Sequence, residues 1–324
     1  MLRYIQEPIK RVARKVLFPV PQHLSKNFIF IGEDGISLIK SSLENNYYTG
    51  WRGKEFYSSE AYIADVSAHL HERLESDRKT VIPWIDNACS LKNKHILEIG
   101  CGTGSSTVAL AEQGAKVIGV DIDEGALPVA RQRAKVYEVD VEFKAMNAQK
   151  IRDSFKEERF DIIIFFACLE HMTINERLSS LKDAWGMLSS GGLLIITETP
   201  NRLWYFDIHT SRLPFFNWLP NELAFLYSRF SSRENFKELY AEYNETKMEH
   251  FLRRGRGFSF HEIDLAIDNA SKLNTISSLS SFEGWRYKLK KTLMERRYKS
   301  LLMKIYPCIH EGFLDDYLYL IIEK

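Results

Sequence analysis

The 324-residue sequence has almost no net charge, no long apolar run and no closely spaced cysteines. It balances 44 Lys and Arg against 43 Asp and Glu, which argues against a dedicated nucleic-acid binder, because phosphate contacts need a basic excess. No apolar segment approaches the roughly 18 residues of a membrane span. The four cysteines are scattered without a Cys-x-x-Cys pair, so we expect a reduced chain in the cytoplasm without a structural zinc site.

Two segments combine basic charge with an amphipathic helical pattern. From Met1 to about Phe18, and again from Trp285 to Ile305, apolar residues recur at helical spacing among Lys and Arg. Each pattern is typical of a helix packed on the body of a protein, and each also fits a helix on an anionic membrane surface. Both interpretations stay open. We therefore expect a cytoplasmic protein that can also contact the inner face of the membrane.

The sequence predicts a helical extension over residues 1–92, followed by an α/β domain over residues 93–324. A stripe of apolar residues from Ser58 to Asp86 predicts one or two helices in the extension. Beyond it, five β-rich runs alternate with helical stretches, and several are apolar on nearly every residue, as strands covered on both faces are. These runs are His95–Gly100, Lys116–Ile122, Val141–Met146, Phe160–Phe166 and Gly192–Glu198. The alternation predicts a parallel, doubly wound sheet of Rossmann type.

The alternation of strands and helices stops after Pro200, and aromatic residues crowd the segment from Trp204 to Phe230. This composition predicts an inserted, aromatic-rich cap at about residues 200–258, over the carboxyl edge of the sheet. The pattern resumes with a helix near His261–Ala270, whose start carries a capping-box sequence. A strand near Leu273–Leu279 and a final strand over Asp316–Lys324 follow.

The segment Glu98–Gly104 closes the first predicted strand with glycines at every second position. Glycines let the backbone approach a ligand closely, and the following helix offers free N–H groups. A dinucleotide fingerprint requires a third glycine at position 105, where this chain has serine. Asp121 ends the second strand, where a carboxylate can accept hydrogen bonds from both ribose hydroxyls. Asn147 and Ala148 follow the third strand, at the place of an adenine edge.

These motifs together resemble the class I S-adenosylmethionine-dependent methyltransferases. The matching segments are LEIGCGTG, GVDID, MNAQ, FDIIIFFACLEHM and LSSGGLLIITETPNR, and they cover about Lys94–Pro200. Within the family, the chain is similar to the branch of ubiquinone-biosynthesis O-methyltransferases and of sugar or polysaccharide methyltransferases. The resemblance implies a seven-stranded sheet whose last strand is antiparallel, and S-adenosylmethionine as the cofactor.

The resemblance also implies which residues bind the cofactor. Glu98 and the loop residues Gly100, Cys101, Gly102 and Gly104 would surround its methionine portion. Asp121 would bind the ribose, with Ile122 beside the adenine. Asn147 and Ala148 would meet the adenine edge, and Ala167 and Cys168 would line the floor of the site after the fourth strand.

Candidate catalytic residues should project from the carboxyl ends of the fourth and fifth strands. His171 stands in that position after strand four, and Asp207 and His209 begin the insertion after strand five. Glu170 and His171 could also hold a divalent cation with a third ligand from elsewhere. The sequence supplies no evidence for that ligand, so we assign no metal site. We assign no site role to His69 and His71 of the extension.

The expected reaction is O-methylation of a small-molecule, sugar, glycan or lipid-linked acceptor. The Asp/Asn-Pro-Pro-aromatic sequence of methylases that act on base amines is absent after strand four, and we expect no nucleic-acid partner. The alternatives are methylation of a prenylated phenol or of a carboxylate, and a non-catalytic interaction protein with the same fold. A nicotinamide reductase is disfavoured by the glycine spacing.

Overall fold

The computed structural model describes residues 27–49 and 60–324, so the helix predicted over residues 1–18 lies outside the described residues. Seven strands form one sheet: β1 His95–Ile99, β2 Lys116–Asp121, β3 Val141–Ala145, β4 Phe160–Phe166, β5 Leu188–Pro200, β6 Asn274–Ser278 and β7 Tyr317–Glu323. Their order is β3-β2-β1-β4-β5-β7-β6. Strands β1 to β5 are parallel, whereas β7 is antiparallel to both β5 and β6. The predicted doubly wound sheet with an antiparallel last strand is confirmed.

Helices cover both faces of this sheet and fill the insertion. In chain order they are α1 Glu33–Ser42, α2 Glu60–Ser67, α3 Arg73–Ser76, α4 Ile82–Ala88, α5 Ser105–Ala111, α6 Ala126–Val136, α7 Ile151–Phe155, α8 Ile174–Met187, α9 Asn221–Tyr227, α10 Glu234–Leu239, α11 Glu245–Leu252, α12 Phe260–Ala266, α13 Leu279–Glu283, α14 Trp285–Leu289 and α15 Leu293–Ile305. Three π-helical turns, Leu43–Tyr47, Ala68–Glu72 and Asp77–Val81, continue or join the helices of the extension. The predicted capping box at Ser259 and Glu262 is present at the start of α12.

Strand β4 shows why the central strands read as continuous apolar runs. Ile163 and Phe165 belong to the apolar cluster on one face of the sheet, together with α8 and α12 residues. Ile162 and Ile164 belong to the cluster on the other face, with residues of α1 and α4. Successive side chains of a strand point to opposite faces, so a strand buried on both faces needs an apolar residue at every position.

The described helices of the extension pack against one face of the sheet and contribute side chains to its apolar core. Trp84 and Ile85 of α4 are fully buried in the cluster that contains Ile162, and the Trp84 indole N–H donates to Ser277 Oγ at 2.9 Å. A buried ion pair joins Arg78 to Glu112, which follows α5, and the Arg78 guanidinium also donates to a backbone carbonyl at 2.7 Å. Residues 60–88 are therefore a structural part of the α/β domain.

Replacing Arg78 with methionine should destabilise the fold by about 3–5 kcal/mol, because the substitution leaves the Glu112 carboxylate buried without its cation. Lys79→Met is the matched control. Lys79 is the next residue in the chain and forms an exposed ion pair with Glu75. Exposed pairs of this kind contribute less than about 1 kcal/mol to stability. Urea unfolding midpoints of both variants measure the difference. Equal midpoints for the two variants would contradict the structural role of the Arg78 pair.

The insertion after β5 has a small apolar core of its own. Its members are Leu213, Phe216, Ala224, Phe225, Phe236, Tyr240 and Phe251. Residues 201–259, all of which the structure describes, contribute no strand to the sheet and form the helices α9, α10 and α11. The segment is tied to the domain by Arg177 of α8, whose guanidinium donates to the carbonyls of Arg256 at 2.7 Å and Gly257 at 3.1 Å.

The structure divides the single helix that we expected from Trp285 to Ile305 into α14 and α15. Thr292 ends the first stretch because it starts a new helix, with a capping box in which Thr292 and Glu295 bond each other's backbone N–H groups. Within residues 27–49 and 60–324, no helix combines the length and the apolarity needed to cross a bilayer.

Candidate functional site

The glycine loop lies where the carboxyl ends of β1, β2 and β4 meet. Gly100 has a φ of +86°, and a Cβ atom there would lie 2.6 Å from Cys168 Cβ and 2.8 Å from the Phe166 carbonyl oxygen. Any side chain at this position would therefore collide with the end of β4. Gly102 has a φ of +49° with open space around it, so the loop presents bare backbone to the space above the sheet.

A cavity of about 710 Å³ opens above this loop. Its volume lies in the range of small-molecule and cofactor sites. The predicted site residues that line it are Gly100, Cys101, Gly102, Asp121, Ile122, Asn147, Ala148, Ala167, Cys168 and His171. The structure thus brings together most of the residues that the sequence singled out on four different strands.

Asp121 connects the glycine loop to the end of β2. Its Oδ2 accepts a hydrogen bond from the Gly102 backbone N–H at 2.7 Å, and its Oδ1 accepts one from the Asp123 N–H at 2.8 Å. Burial raises the pKa of Asp121 above its ordinary value. Beside it, the Ile122 side chain is 66% exposed at the cavity wall, which leaves apolar surface available to a planar ring.

The floor of the cavity comes from the ends of β3 and β4. Asn147 Oδ1 accepts from the Gln149 N–H at 2.9 Å and caps a 3₁₀ turn that begins at Ala148. Cys168 donates its S–H to the Ile99 carbonyl at 3.2 Å. Burial raises the thiol pKa of both Cys101 and Cys168, so neither cysteine is a ready nucleophile.

Two predicted cofactor residues lie behind the loop and do not line the cavity. Gly104 has a φ of +81°, and a Cβ there would lie 3.0 Å from Ala130 Cα, so this glycine permits the close approach of α6. Glu98 is fully buried, and its carboxylate accepts hydrogen bonds from the hydroxyls of Ser106 and Thr107 at the start of α5. Gly104 and Glu98 therefore support the conformation of the glycine loop and do not contact the cavity.

The buried Glu98 carboxyl predicts a specific pH dependence of stability. Burial raises its pKa to about 7 in the folded chain, against about 4.3 when unfolded. The folded state therefore holds the proton more tightly, and its stability falls as the pH rises through that window. Glu98→Gln removes this dependence, so the stability of the variant relative to wild type should rise by about 2.5 kcal/mol from pH 5 to pH 8. Parallel urea stability curves for the two proteins over this range would contradict the assignment.

The extension supplies part of the cavity wall, which the sequence did not indicate. Tyr47, Ala68, His69, Glu72, Arg73, Ser76 and Asp77 all line the cavity. His69 is buried, and its Nδ1 lies 3.0 Å from Thr103 Oγ1 in the glycine loop. Arg133 of α6 links these two residues, because its guanidinium donates to the Thr103 carbonyl at 2.9 Å and to the His69 carbonyl at 2.7 Å. No local pattern signals this contact, because it joins segments more than thirty residues apart.

Glu198 near the end of β5 is a further cavity residue that the sequence analysis missed. It lies at an irregularity in the β5–β7 pairing and has a φ of +53°. Burial raises the pKa of its carboxyl above the ordinary value. The rule that selected His171, position at the carboxyl end of a strand, also identifies Glu198.

The charged residues around the cavity are mostly acidic. Six carboxylic side chains line it, Glu72, Asp77, Asp121, Asp123, Glu176 and Glu198, against two guanidinium groups, those of Arg73 and Arg253. Arg253 is paired with Glu176 through two contacts of 2.8 and 2.9 Å. Burial raises the pKa of Asp77 well above its ordinary value, so the negative charge of the wall comes mainly from the other carboxylic side chains. A wall of this composition favours a cationic ligand and disfavours a pyrophosphate.

His171, which lines the cavity, and His209, which does not, lie close together around Glu170. Their ring centroids are 5.9 Å apart. His171 Nε2 lies 3.9 Å from Glu170 Oε1, and His209 Nε2 lies 4.0 Å from the same oxygen. Burial lowers the pKa of both histidines, that of His209 to about 4, and raises the pKa of Glu170 to about 8. Both imidazoles are therefore neutral at pH 7.

Asp207 lies outside the large cavity, in the turn that carries His209. Its carboxylate accepts hydrogen bonds from Thr210 N–H at 3.0 Å, Ser211 N–H at 2.6 Å and Ser211 Oγ at 2.7 Å. These bonds occupy the carboxylate and hold the turn, so the geometry supports a positioning role for Asp207.

Comparison with known proteins gives matches to the central part of the chain. Residues 96–192 match a family model described as a methyltransferase domain. The chain is 33% identical over 121 residues to a ubiquinone biosynthesis O-methyltransferase of Pseudomonas entomophila (strain L48), and 31% identical to its counterpart from Pseudomonas fluorescens (strain SBW25). Each match covers 37% of this chain and 50% of the relative, so the chain spans about half the length of these curated relatives.

Solved structures give shorter or more distant likenesses. A methyltransferase from Methanosarcina mazei is 30% identical, with a TM-score of 0.33, and the match covers 36% of this chain and 56% of that one. Magnesium protoporphyrin IX methyltransferase from Synechocystis PCC 6803 is 20% identical, with a TM-score of 0.38, and the match covers 53% of this chain and 80% of that one.

Proposed function

We propose that the chain is a class I S-adenosylmethionine-dependent methyltransferase and that it transfers the methyl group of this cofactor to an oxygen acceptor, because residues 96–192 match a methyltransferase-domain family model and part of the chain is 33% identical to a ubiquinone biosynthesis O-methyltransferase. The observation that carries the proposal is the acidic cavity that joins the glycine loop, Asp121 and His171. The methyl donor carries a positive sulfonium and an ammonium group, which an acidic wall favours. A dinucleotide is disfavoured, because its negatively charged pyrophosphate would lie against the same acidic wall.

The chain's own residues would position the donor along the ends of the strands. Asp121 has the place and the charge to accept hydrogen bonds from ribose hydroxyls, and the exposed side chain of Ile122 offers apolar contact to the adenine ring. The backbone of Gly100–Gly102 leaves room for the methionine portion. Methyl transfer is an in-line displacement, so alignment alone can contribute roughly 7–11 kcal/mol.

The acceptor oxygen would meet the sulfonium at the end of the cavity that His171 lines. A hydroxyl acceptor gains about 10²–10⁴-fold from a group that removes its proton. We propose His171 as that group, with His209 as the second candidate, because both imidazoles are neutral at pH 7. His209 is the weaker base of the two, since its pKa is about 4.

The insertion at about residues 200–258 is proposed to cover the acceptor. It contributes His209 to the cluster around Glu170 and Arg253 to the cavity wall. Trimming α9–α11 from the insertion should abolish acceptor turnover and preserve cofactor binding. Loss of both in a variant that still folds would contradict this role.

Isothermal titration with S-adenosylhomocysteine and with NADH tests the cofactor class directly, and we expect binding of the first and none of the second. A screen with methyl-labelled cofactor over sugars and glycans, prenylated phenols and lipid carboxylates then tests the acceptor. Tight binding of S-adenosylhomocysteine with no transfer to any acceptor class would favour a non-catalytic interaction protein with this fold.

We also propose that α14 and α15 contact an anionic membrane surface that presents a lipid-linked acceptor. Their exposed apolar residues are Trp285, Leu289, Leu293, Met294, Leu301, Met303 and Ile305, and exposed Lys288, Arg296, Arg297 and Lys304 lie among them. Apolar and basic residues on one exposed surface suit anionic lipid. Co-flotation with vesicles containing phosphatidylserine should fall on Arg296→Glu together with Arg297→Glu. Unchanged flotation of this double variant, or none of the wild type, would contradict the contact.

A further inference from the structure

The Glu170 side chain is a buried acid without a hydrogen-bond partner. It is 1% exposed, and neither Oε1 nor Oε2 has a partner among the residues that the structure describes. Arg177 is nearby, but its guanidinium donates to the Glu170 backbone carbonyl and to other carbonyls. A buried carboxyl group without hydrogen-bond partners costs about 1–3 kcal/mol even when it is neutral, so its presence next to the cavity points to a ligand.

The two imidazoles near Glu170 have their tautomers fixed by their other ring nitrogens. His171 Nδ1 lies 3.0 Å from the Arg253 carbonyl oxygen, and a carbonyl only accepts, so Nδ1 carries the proton. His209 Nδ1 lies 3.0 Å from Thr210 Oγ1, while the Thr210 hydroxyl donates to the Gly255 carbonyl at 2.6 Å. Thr210 Oγ1 must therefore accept from His209 Nδ1–H. Both Nε2 atoms are left with lone pairs.

These lone pairs point at the carboxyl group, where no hydrogen bond can join them. The Nε2 atoms of His171 and His209 lie 3.9 and 4.0 Å from Glu170 Oε1, beyond hydrogen-bond reach even for a protonated carboxyl. The three ligand atoms all lie within 4.8 Å of one another. Two imidazole nitrogens with lone pairs and one carboxyl group therefore lie around one point, and no hydrogen bond joins them.

We propose that Glu170, His171 and His209 bind a divalent transition-metal ion, with Zn²⁺ as the best-fitting ion. Two imidazoles and one carboxylate form a ligand set of catalytic zinc sites. At metal–ligand distances of about 2.0–2.2 Å, tetrahedral ligands lie about 3.4 Å apart, so the two nitrogen–oxygen separations of 3.9 and 4.0 Å need to contract by about half an ångström. The Nδ1–H bonds to Arg253 and Thr210 supply the outer contacts that orient metal-binding histidines.

The site has an open coordination position beside the cofactor cavity, because the chain offers three ligands and His171 lines that cavity. A bound ion lowers the pKa of an oxygen that coordinates it. This role deepens the proposed function and rests on it: the ion would hold the acceptor hydroxyl and lower its pKa, the hydroxyl proton would pass to water, and His171 would be a ligand of the ion in place of the base. Metal binding itself does not depend on methyl transfer.

The test measures metal binding to the full chain after treatment with a chelator. Titration of Zn²⁺ in competition with a chromogenic chelator should give one tight site in wild type and in His71→Ala, whose exposed histidine lies in the extension. Glu170→Gln and His209→Ala should each weaken binding by at least about 100-fold, since even outer-shell changes cost 10–100-fold. Co²⁺ should give the visible absorption of a tetrahedral site in wild type and lose it in both variants.

Equal Zn²⁺ affinity in wild type, Glu170→Gln and His209→Ala overturns the proposal, as does the absence of a tight site in wild type. Near-native circular dichroism in both variants ensures that lost binding reports lost ligands. Titration with S-adenosylhomocysteine on the same samples separates the two proposals. A metal site in a chain that binds no S-adenosylhomocysteine would sink the methyltransferase function alone, and the reverse result would sink the metal alone.

Discussion

Replacing His171 with alanine should lower turnover at pH 7 by about 10²-fold or more while cofactor affinity is kept. The imidazole lines the cavity, its Nδ1 is held by the Arg253 carbonyl, and its Nε2 keeps a lone pair 3.9 Å from Glu170 Oε1. Whether it takes the proton or holds a metal that acidifies the acceptor, its loss leaves the acceptor hydroxyl largely un-ionised. Raising the pH should restore part of the rate, because solvent then ionises the acceptor.

The dependence of the wild-type rate on pH also tests the role of His171, because the pKa shift fixes the direction in which the rate should change. Burial lowers the pKa of His171 below its ordinary value near 6.5, so the imidazole stays unprotonated to lower pH than a solvent-exposed histidine. The rate should therefore hold as the pH falls from 8 through 6.5 and decline only below it. Steady-state kinetics of wild type, His171→Ala, His209→Ala and the control His71→Ala measure these effects. Near-normal turnover in both site variants would leave alignment of the substrates as the whole of catalysis.

Asp121→Asn should weaken the binding of S-adenosylhomocysteine by at least tenfold. The substitution keeps an oxygen to accept the Gly102 N–H but removes the charge, and hydrogen bonds to a charged acceptor contribute about 1.5–3 kcal/mol each. Asp123→Asn is the matched control, because Asp123 lines the same cavity two residues away and its carboxylate caps a local turn. Calorimetry on both variants should separate them, and equal dissociation constants for Asp121→Asn and wild type would refute the ribose assignment.

The sheet and its carboxyl edge were predictable because their signals are local. Phe160–Phe166 is apolar at every position except Asp161 because the strand is covered on both faces, and this pattern can be recognised without knowing which strands lie beside it. The positions of Gly100, Asp121 and His171 follow from the same reasoning, because Gly100 follows β1, Asp121 ends β2 and His171 lies in the turn after β4. Parallel strands present these ends at one edge, so their meeting in one cavity was a consequence of the topology.

The rest of the site depends on contacts between distant segments, which local patterns do not encode. His69 reaches the glycine loop at Thr103, thirty-four residues later, through a pair of bonds from Arg133. His209 meets Glu170 because Asp207 folds its turn and Arg177 anchors the end of the insertion. The division of the basic helix at Thr292 was visible in principle, since Thr292 and Glu295 form a capping-box sequence inside the apolar pattern.

The wall that the extension adds to the cavity makes ligand affinity partly a property of folding. A ligand that binds only the assembled wall stabilises it by about 2.7 kcal/mol at a hundredfold excess over Kd. Occupancy should then slow amide hydrogen exchange in α2–α4, although those helices lie before the whole of the sheet in the chain. Reciprocally, a substitution that loosens Trp84 from the core would raise the apparent Kd without touching the ligand. Ligand affinity therefore depends on the packing of residues 60–88 as well as on the chemistry of the site.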